Sequence, residues 1–261
     1  MAIDRLEPSG SAVCDLFSGS GTVSAAFART RDVVAVDIQE YSRVLCSAVL
    51  RPADVSDVEV KNFLDDAFGA AYGARIEAAS PLIAYEEQCL LDARQGEPET
   101  ICELIDNASI VAFNQMPPRH VSRALAAAHN ATIRRLRSMA EDSAAETLTL
   151  RYFGGLYFSY LQALQLDALL TAAHHRDGDL RNTLLAATIS TASEIVNTVG
   201  KHFAQPIRPR DGQGRPKRHL ISKILRDRQL AVVTTFVDML NRYRSLRSSG
   251  RAHRVIRADF P

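Results

Sequence analysis

The chain has 261 residues, 46% of them apolar and 23% charged, with a formal net charge of +1. An apolar share near the average of folded domains excludes disorder for most of the chain, and the length suffices for one large domain or two modest ones. No window holds eighteen uncharged apolar residues, so no membrane-spanning helix is expected, and the first seven residues, with two acids and no apolar run, are unlike a secretory leader.

Residues 11–17 (S-A-V-C-D-L-F) form a short apolar run ending in S-G-S-G, which predicts a buried strand entering a tight turn. Residues 22–29 have helical spacing with Val23, Phe27 and the alanines on one side, and 33–36 form a second β-branched run ending at Asp37. With a second helix over 41–50, the order β-α-β-α predicts a parallel sheet with crossover helices. From 60 to 200 the pattern is helical and rich in Ala, Leu and Glu, with breaks expected at Pro81, around Pro98 and at Pro117-Pro118. The apolar stretch 152–174 places its aromatics at the spacing of a buried helix, so Tyr152 to Tyr160 are expected in the core, and 180–196 reads as another apolar helix. His174-His175, with Asp177 and Asp179 beyond, reads as a helix C-terminus and not as a metal site. Residues 206–217 (P-I-R-P-R-D-G-Q-G-R-P-K) form a basic loop of turn residues, 221–246 a single long amphipathic helix, and 254–257 (R-V-I-R) a last strand. Four cysteines (Cys14, Cys46, Cys89, Cys102) lie far apart with no C-x-x-C pair, as expected of reduced core residues in a cytoplasmic protein, not a disulfide frame.

The near-neutral total hides an asymmetry. Residues 201–257 carry fifteen Lys and Arg against three acids, a balance of +12, which leaves −11 for the rest. A basic C-terminal quarter on an acidic body points to a polyanionic partner, with nucleic acid the first candidate.

The sharpest local signal is Asp15-Leu16-Phe17-Ser18-Gly19-Ser20-Gly21. Two glycines between a strand and a helix let the backbone approach a ligand, and an acid at the end of the next strand, Asp37, is placed to accept ribose hydroxyls. On the residues alone this fits a dinucleotide or S-adenosylmethionine. Ser24 stands where the pyrophosphate fingerprint has its third glycine, and the Asp-x-Phe-x-Gly-x-Gly form resembles the first motif of class I methyltransferases.

Residues 15–24 (D-L-F-S-G-S-G-T-V-S) with 33–42 (V-V-A-V-D-I-Q-E-Y-S) resemble the DNA adenine methylase family, in which a helical target-recognition region separates the cofactor motifs from the catalytic motif. Residues 157–169 and 197–207 (N-T-V-G-K-H-F-A-Q-P-I) are similar to that insert, and Asp259-Phe260 resembles the pair that receives the cofactor's adenine. The resemblance spans nearly the whole chain and is weakest over 51–150. It implies an α/β fold, a Rossmann-like class I methyltransferase sheet with a large, mostly helical insertion. The core would comprise 1–60 and 250–261, and the DNA-binding insert 61–249. It further implies that Gly19 and Gly21 line the methionine part of S-adenosylmethionine, that Asp15, Phe17 and Ser18 shape the turn, and that Asp37 holds the ribose. Ile38 would press on the adenine, Asp259 accept its exocyclic amine, and Phe260 pack on the ring.

Adenine methylation needs a flipped base, an acceptor for its amine protons and an aromatic to stack on. The family supplies them as Asp-Pro-Pro-Tyr, which does not occur here; Met116-Pro117-Pro118-Arg119 has neither the acid nor the aromatic and reads as a loop. The family's N-terminal lysine motif is also missing. No catalytic residue is therefore assigned, and the chain alone is expected to be inactive. Three readings follow: a subunit of a split adenine-specific enzyme of a restriction-modification or defence system, whose second chain brings Asp-Pro-Pro-Tyr and covers a strand edge at 254–257; a non-catalytic DNA-binding module derived from such an enzyme; or a fragment of a longer one. Duplex DNA is the expected partner, through Lys201, Arg208, Arg210, Arg215, Lys217 and Arg218.

Overall fold

The computed structural model describes residues 7, 10–139, 141–200, 205–246 and 248–259, the side chains of 141–143 excepted. The chain is mixed α/β, mostly helical, with a small three-stranded parallel sheet. It divides into two compact units, Met1–Phe63 with Ala172–Ser190 and Phe236–Pro261, and Leu64–Thr171 with Thr191–Thr235. No helix among the described residues is long and apolar enough to cross a membrane.

The first unit holds β1 (Val13–Leu16), α1 (Thr22–Ala28), β2 (Val33–Asp37), α2 (Glu40–Leu50) and β3 (Arg254–Arg257). The strands lie in the order β1-β2-β3, parallel throughout, with Leu16 opposite Val36 and Asp37 opposite Arg257. The period-two alternation of the strands turns Val13, Val33, Ala35 and Val255 to one face, where they pack with Phe27 and Ala28 of α1 and Cys46 and Leu50 of α2. Burying each large member of that cluster stabilises by about 1.5–3 kcal/mol. Cys14 and Leu16, on the alternate positions of β1, are exposed. Cys46, Cys89 and Cys102 are buried and free as expected, whereas Cys14 is not a core residue. Next along the chain, α3 (Asp57–Ala67) opens on a reciprocal cap, Ser56 N–H donating to Glu59 Oε2 at 2.8 Å and Glu59 N–H to Ser56 Oγ at 3.2 Å.

In the second unit, α4 (Ala70–Arg94) runs straight through Pro81, where a break was expected. Proline removes one backbone bond and frees the carbonyl four residues back. That carbonyl, on Glu77, accepts Arg135 Nη1 at 2.8 Å, so the lost bond is replaced from another helix. Pro98 starts α5 (Glu99–Asp106), Ser109 caps α6 (Ile110–Gln115), and Pro117-Pro118 sits in the expected loop before α7 (Arg123–Arg137), which Ser122 caps.

A 3-10 turn over Glu141–Thr147 leads to α8 (Leu148–Phe153), and two glycines separate it from α9 (Tyr160–His174). A Cβ on Gly154 would stand 2.5 Å from the Leu150 carbonyl oxygen, and one on Gly155 2.6 Å from the Tyr160 ring, so both glycines make room for that tyrosine. Phe158 and Tyr160 are buried, but Tyr152 and Phe153 end their helix exposed, against the expectation of a uniformly buried aromatic run. After α10 (Gly178–Ile195), the single helix expected over 221–246 is two, α11 (Arg218–Asp227) and α12 (Val232–Arg244). Gln162 Nε2 takes up the carbonyls that the break leaves open, donating to Asp227 O at 2.9 Å and Leu230 O at 3.0 Å. Arg228 turns inward at the same break to pair with the buried Glu86.

Candidate functional site

Ligands of open parallel sheets bind beyond the carboxyl ends of the strands. At that end the sheet gathers the glycine turn after β1, Asp37 and Ile38 after β2, and Ala258-Asp259 after β3. Ser18 N–H donates to Val36 O at 3.1 Å, and Ala258 N–H donates to Asp37 O at 3.1 Å, so the three tips are tied in sequence. Arg257 adds a bond from Nε to Ile38 O at 3.1 Å and an ion pair from Nη1 to Glu40 Oε2 at 3.7 Å.

The turn is built from conformations that its residues either permit or are forced into. Gly19 has φ 54° with nothing nearer its missing Cβ than Phe17 O at 3.9 Å, so backbone angle alone demands glycine there. Gly21 has φ 80°, and a Cβ would meet Cys46 Sγ at 3.2 Å, so it is needed for angle and space together. Phe17 is the one non-glycine residue with positive φ among the described residues, at 61°, and it is 74% exposed. An aromatic held there is strained.

Asp37 is the clamp of the turn. Its carboxylate, 8% exposed, accepts Gly19 N–H on Oδ2 and Gln39 N–H on Oδ1, each at 2.9 Å. The Gln39 and then the Gly19 amide hold it below the usual carboxylate range. Ser24, in the place of the third glycine, is fully buried and donates to Asp15 Oδ2 at 2.6 Å, which fixes the Asp15 side chain against the start of α1. Cys46 Sγ donates to Ser18 Oγ at 3.3 Å, and burial pushes its thiol up. Sequence reasoning missed Ser24, Gln39 and Cys46; Ser24 alone carried a signal, as the substitution at the glycine position.

A nucleoside fits this set in chemistry. A carboxylate has capacity for about four donors, and Asp37 takes the Gln39 and Gly19 amides, with the Ser42 hydroxyl and Ile38 amide also acting on it. Ile38, 46% exposed, and Phe17 offer apolar surface at the strand ends that also carry Asp37 and Asp259. Phe260 lies outside the described residues.

At the opposite end of the strands a cavity of about 450 Å³ is lined by Arg29, Leu50, Ser249 and His253. Ser249 Oγ is 2.6 Å from His253 Nε2, but Nδ1 already accepts Val33 N–H at 3.2 Å. The ring is therefore neutral with its proton on Nε2, and it donates to the serine instead of activating it.

The basic loop is an ordered hairpin. Arg210 bridges to Pro216, Lys217 N–H donates to Pro209 O at 2.7 Å, and Asp211 Oδ1 accepts Gln213 N–H and Arg215 N–H, both at 2.9 Å. Arg210 is committed to α5, with Nη1 on Glu99 Oε2 at 2.7 Å and Nε on Asp106 Oδ2 at 2.9 Å. Arg215 bonds Asp211 at 3.0 Å. Arg208 and Arg218 are exposed, Lys217 is half-buried, and Lys201 lies outside the described residues. His174 ends α9 and bonds Arg181 at 2.8 Å. No protein-family profile matches the chain, and no curated protein or solved structure matches it either.

Proposed function

We propose that this chain is one subunit of a site-specific adenine DNA methyltransferase that binds S-adenosylmethionine and duplex DNA, with the catalytic motif brought by a second chain. The observation that carries the reading is the convergence of the glycine turn, Asp37 and Asp259 at the carboxyl ends of three parallel strands. The order β3-β2-β1 matches the first half of a doubly wound sheet, which supports a Rossmann-like core with 61–249 as the helical insertion.

S-adenosylmethionine, when bound, supplies an electrophilic methyl group. Gly19 and Gly21 line its methionine part, with Asp15, Phe17 and Ser18 shaping the turn. Asp37 accepts ribose hydroxyls, Ile38 lies on the adenine, and Asp259 accepts the exocyclic amine. The acceptor for the target amine's protons and the stacking aromatic belong to the partner. Support for a partner comes from the sheet: among the described residues no strand pairs with the outer edge of β1 or of β3, and parallel sheets are ordinarily covered on both faces.

The test is methyl transfer to duplex DNA by the chain alone and with the product of the adjoining reading frame. Transfer is expected only in the mixture; activity of the lone chain, or of no mixture, refutes the split enzyme. One observation favours the second reading, a non-catalytic DNA-binding module: both oxygens of the buried Asp37 already bond backbone amides. Calorimetry showing no affinity for S-adenosylmethionine would select it.

A further inference from the structure

We propose that α11, and not the hairpin before it, is the element that enters the major groove and reads base edges, the hairpin lying along the phosphates; this rests on the reading of the chain as a DNA-acting subunit. The ten residues of α11 (R-H-L-I-S-K-I-L-R-D) are sharply two-sided. Ile221, Ile224 and Asp227 are buried, whereas Arg218, His219, Ser222 and Arg226 are exposed, as is Gln229 just beyond the end. At about 100° per residue those five positions fall within an arc of roughly 100°, one continuous face. That face carries no carboxylate. The helix's only acid, Asp227, is buried and holds Lys223, while the Nε of Arg226 reaches it at 3.3 Å with the side chain still 69% exposed.

Arg218 and His219 make no ion pair or side-chain hydrogen bond among the described residues, and neither does the side chain of Arg208 at the start of the hairpin. The charge also runs against local stability: Lys217 and Arg218 stand at the helix start, where the macrodipole disfavours cations. A rule broken locally without local gain marks a functional surface. A helix of about 15 Å with arginine, histidine, serine and glutamine outward fits the B-form major groove, where arginine pairs with guanine and the shorter polar groups meet other base edges. The deep, narrow groove of duplex RNA does not admit it. Arg210, neutralised by Glu99 and Asp106, is the anchor that holds the hairpin to α5.

The experiment uses the full chain, a fluorescent 24-base-pair DNA pool of randomised sequence and the equivalent RNA duplex. Sequences bound by wild type, Arg218→Ala and Ser222→Ala are enriched and compared. Salt dependence is measured for Arg208→Ala, with the exposed Arg94→Ala on α4 as the charge-matched control. Every substitution is at an exposed residue, and far-ultraviolet circular dichroism checks folding. The α11 variants should relax the enriched sequence at one or two positions, and Arg208→Ala should lower the salt slope by about 0.9 with the enriched sequence unchanged. An unaltered enriched sequence in both α11 variants overturns the reading helix while leaving the DNA-acting subunit intact. Wild type that binds neither duplex overturns both, and equal binding of RNA overturns groove entry. Calorimetry with S-adenosylmethionine on the same proteins tests the cofactor site separately.

Discussion

Replacing Asp37 by Asn tests whether this carboxylate is first a clamp and only then a ligand. Its two bonds, to Gly19 and Gln39 amides at 2.9 Å, are charge-assisted and nearly shielded from water. Hydrogen bonds to a charged group contribute about 1.5–3 kcal/mol each. Asparagine keeps one acceptor and turns an amide N–H toward the other backbone N–H, so the expected loss is roughly 2–4 kcal/mol. Urea unfolding followed by circular dichroism should show that loss with an unchanged denaturant slope.

The sign with pH is fixed. The native carboxylate titrates below its unfolded value, so its contribution is whole above about pH 4 and disappears as pH falls through the depressed native pKa. The gap between wild type and Asp37→Asn should therefore be flat from pH 5 to 8 and close below about pH 4. A variant within about 0.5 kcal/mol of wild type that nevertheless loses S-adenosylmethionine would refute the clamp and leave Asp37 as a ligand group alone.

Gly19→Ala should cost about 1–2 kcal/mol, from backbone angle alone, and Gly21→Ala more, because of the 3.2 Å approach to Cys46; only the latter should recover in part with Cys46→Ala. In the second unit, Arg228→Met should destabilise by about 3–5 kcal/mol by stranding the buried Glu86 carboxylate, which among the described residues keeps only Tyr160 N–H at 2.7 Å. Adding Glu86→Leu should give a double variant that loses less than the two single losses together, and simple additivity in urea unfolding would refute the pairing. Burial holds His253 below the ordinary histidine value, so its contribution is whole above about pH 6.5 and declines as pH falls toward the native pKa. His253→Phe should flatten that part of the stability profile. His129, stacked on Phe113 and pushed down to about 4, should retain a decline of the same sign between about pH 6.5 and 4.

The β-α-β-α opening and the strand at 254–257 were legible because their signals are local: a β-branched run, a glycine bend, an acid, a helical stripe. What escaped depends on partners distant in sequence. Pro81 breaks a helix only if the Glu77 carbonyl has no donor, and Arg135 supplies one. The periodicity of 221–246 is continuous across Arg228, but the stop at 228–231 is made by Gln162 and Glu86 from other helices. Arg210 looks like its neighbours in composition, and only the fold brings it to Glu99 and Asp106. The spacing of the glycine turn points to a ligand loop, but it carries no sign of the Gly19 and Gln39 amides that occupy Asp37.

On the split-enzyme reading, Phe17 and the edge of β1 with which no described strand pairs bear on the same question, where the second chain docks. An aromatic at φ 61° on a strand tip, with three quarters of its surface exposed, costs of the order of 1–2 kcal/mol. Leu16 and Cys14 below it are exposed as well, on the alternate positions of the strand whose outer edge no described strand pairs with. A parallel strand added there would lie about 4.8 Å from β1 and continue the order β3-β2-β1 outward. Its carboxyl end would then come level with the glycine turn, on the side away from Asp37. Catalytic groups following that strand would stand within about two strand spacings, roughly 10 Å, of Phe17. On the split-enzyme reading the hydrogen-bonding register of β1, and not any flexible approach of two proteins, fixes where the missing chemistry meets the methyl donor. Proline at Cys14, which would remove one edge donor only if that N–H faces outward, separates this docking from attachment elsewhere: loss of the partner with the isolated chain still folded is the outcome that edge pairing requires.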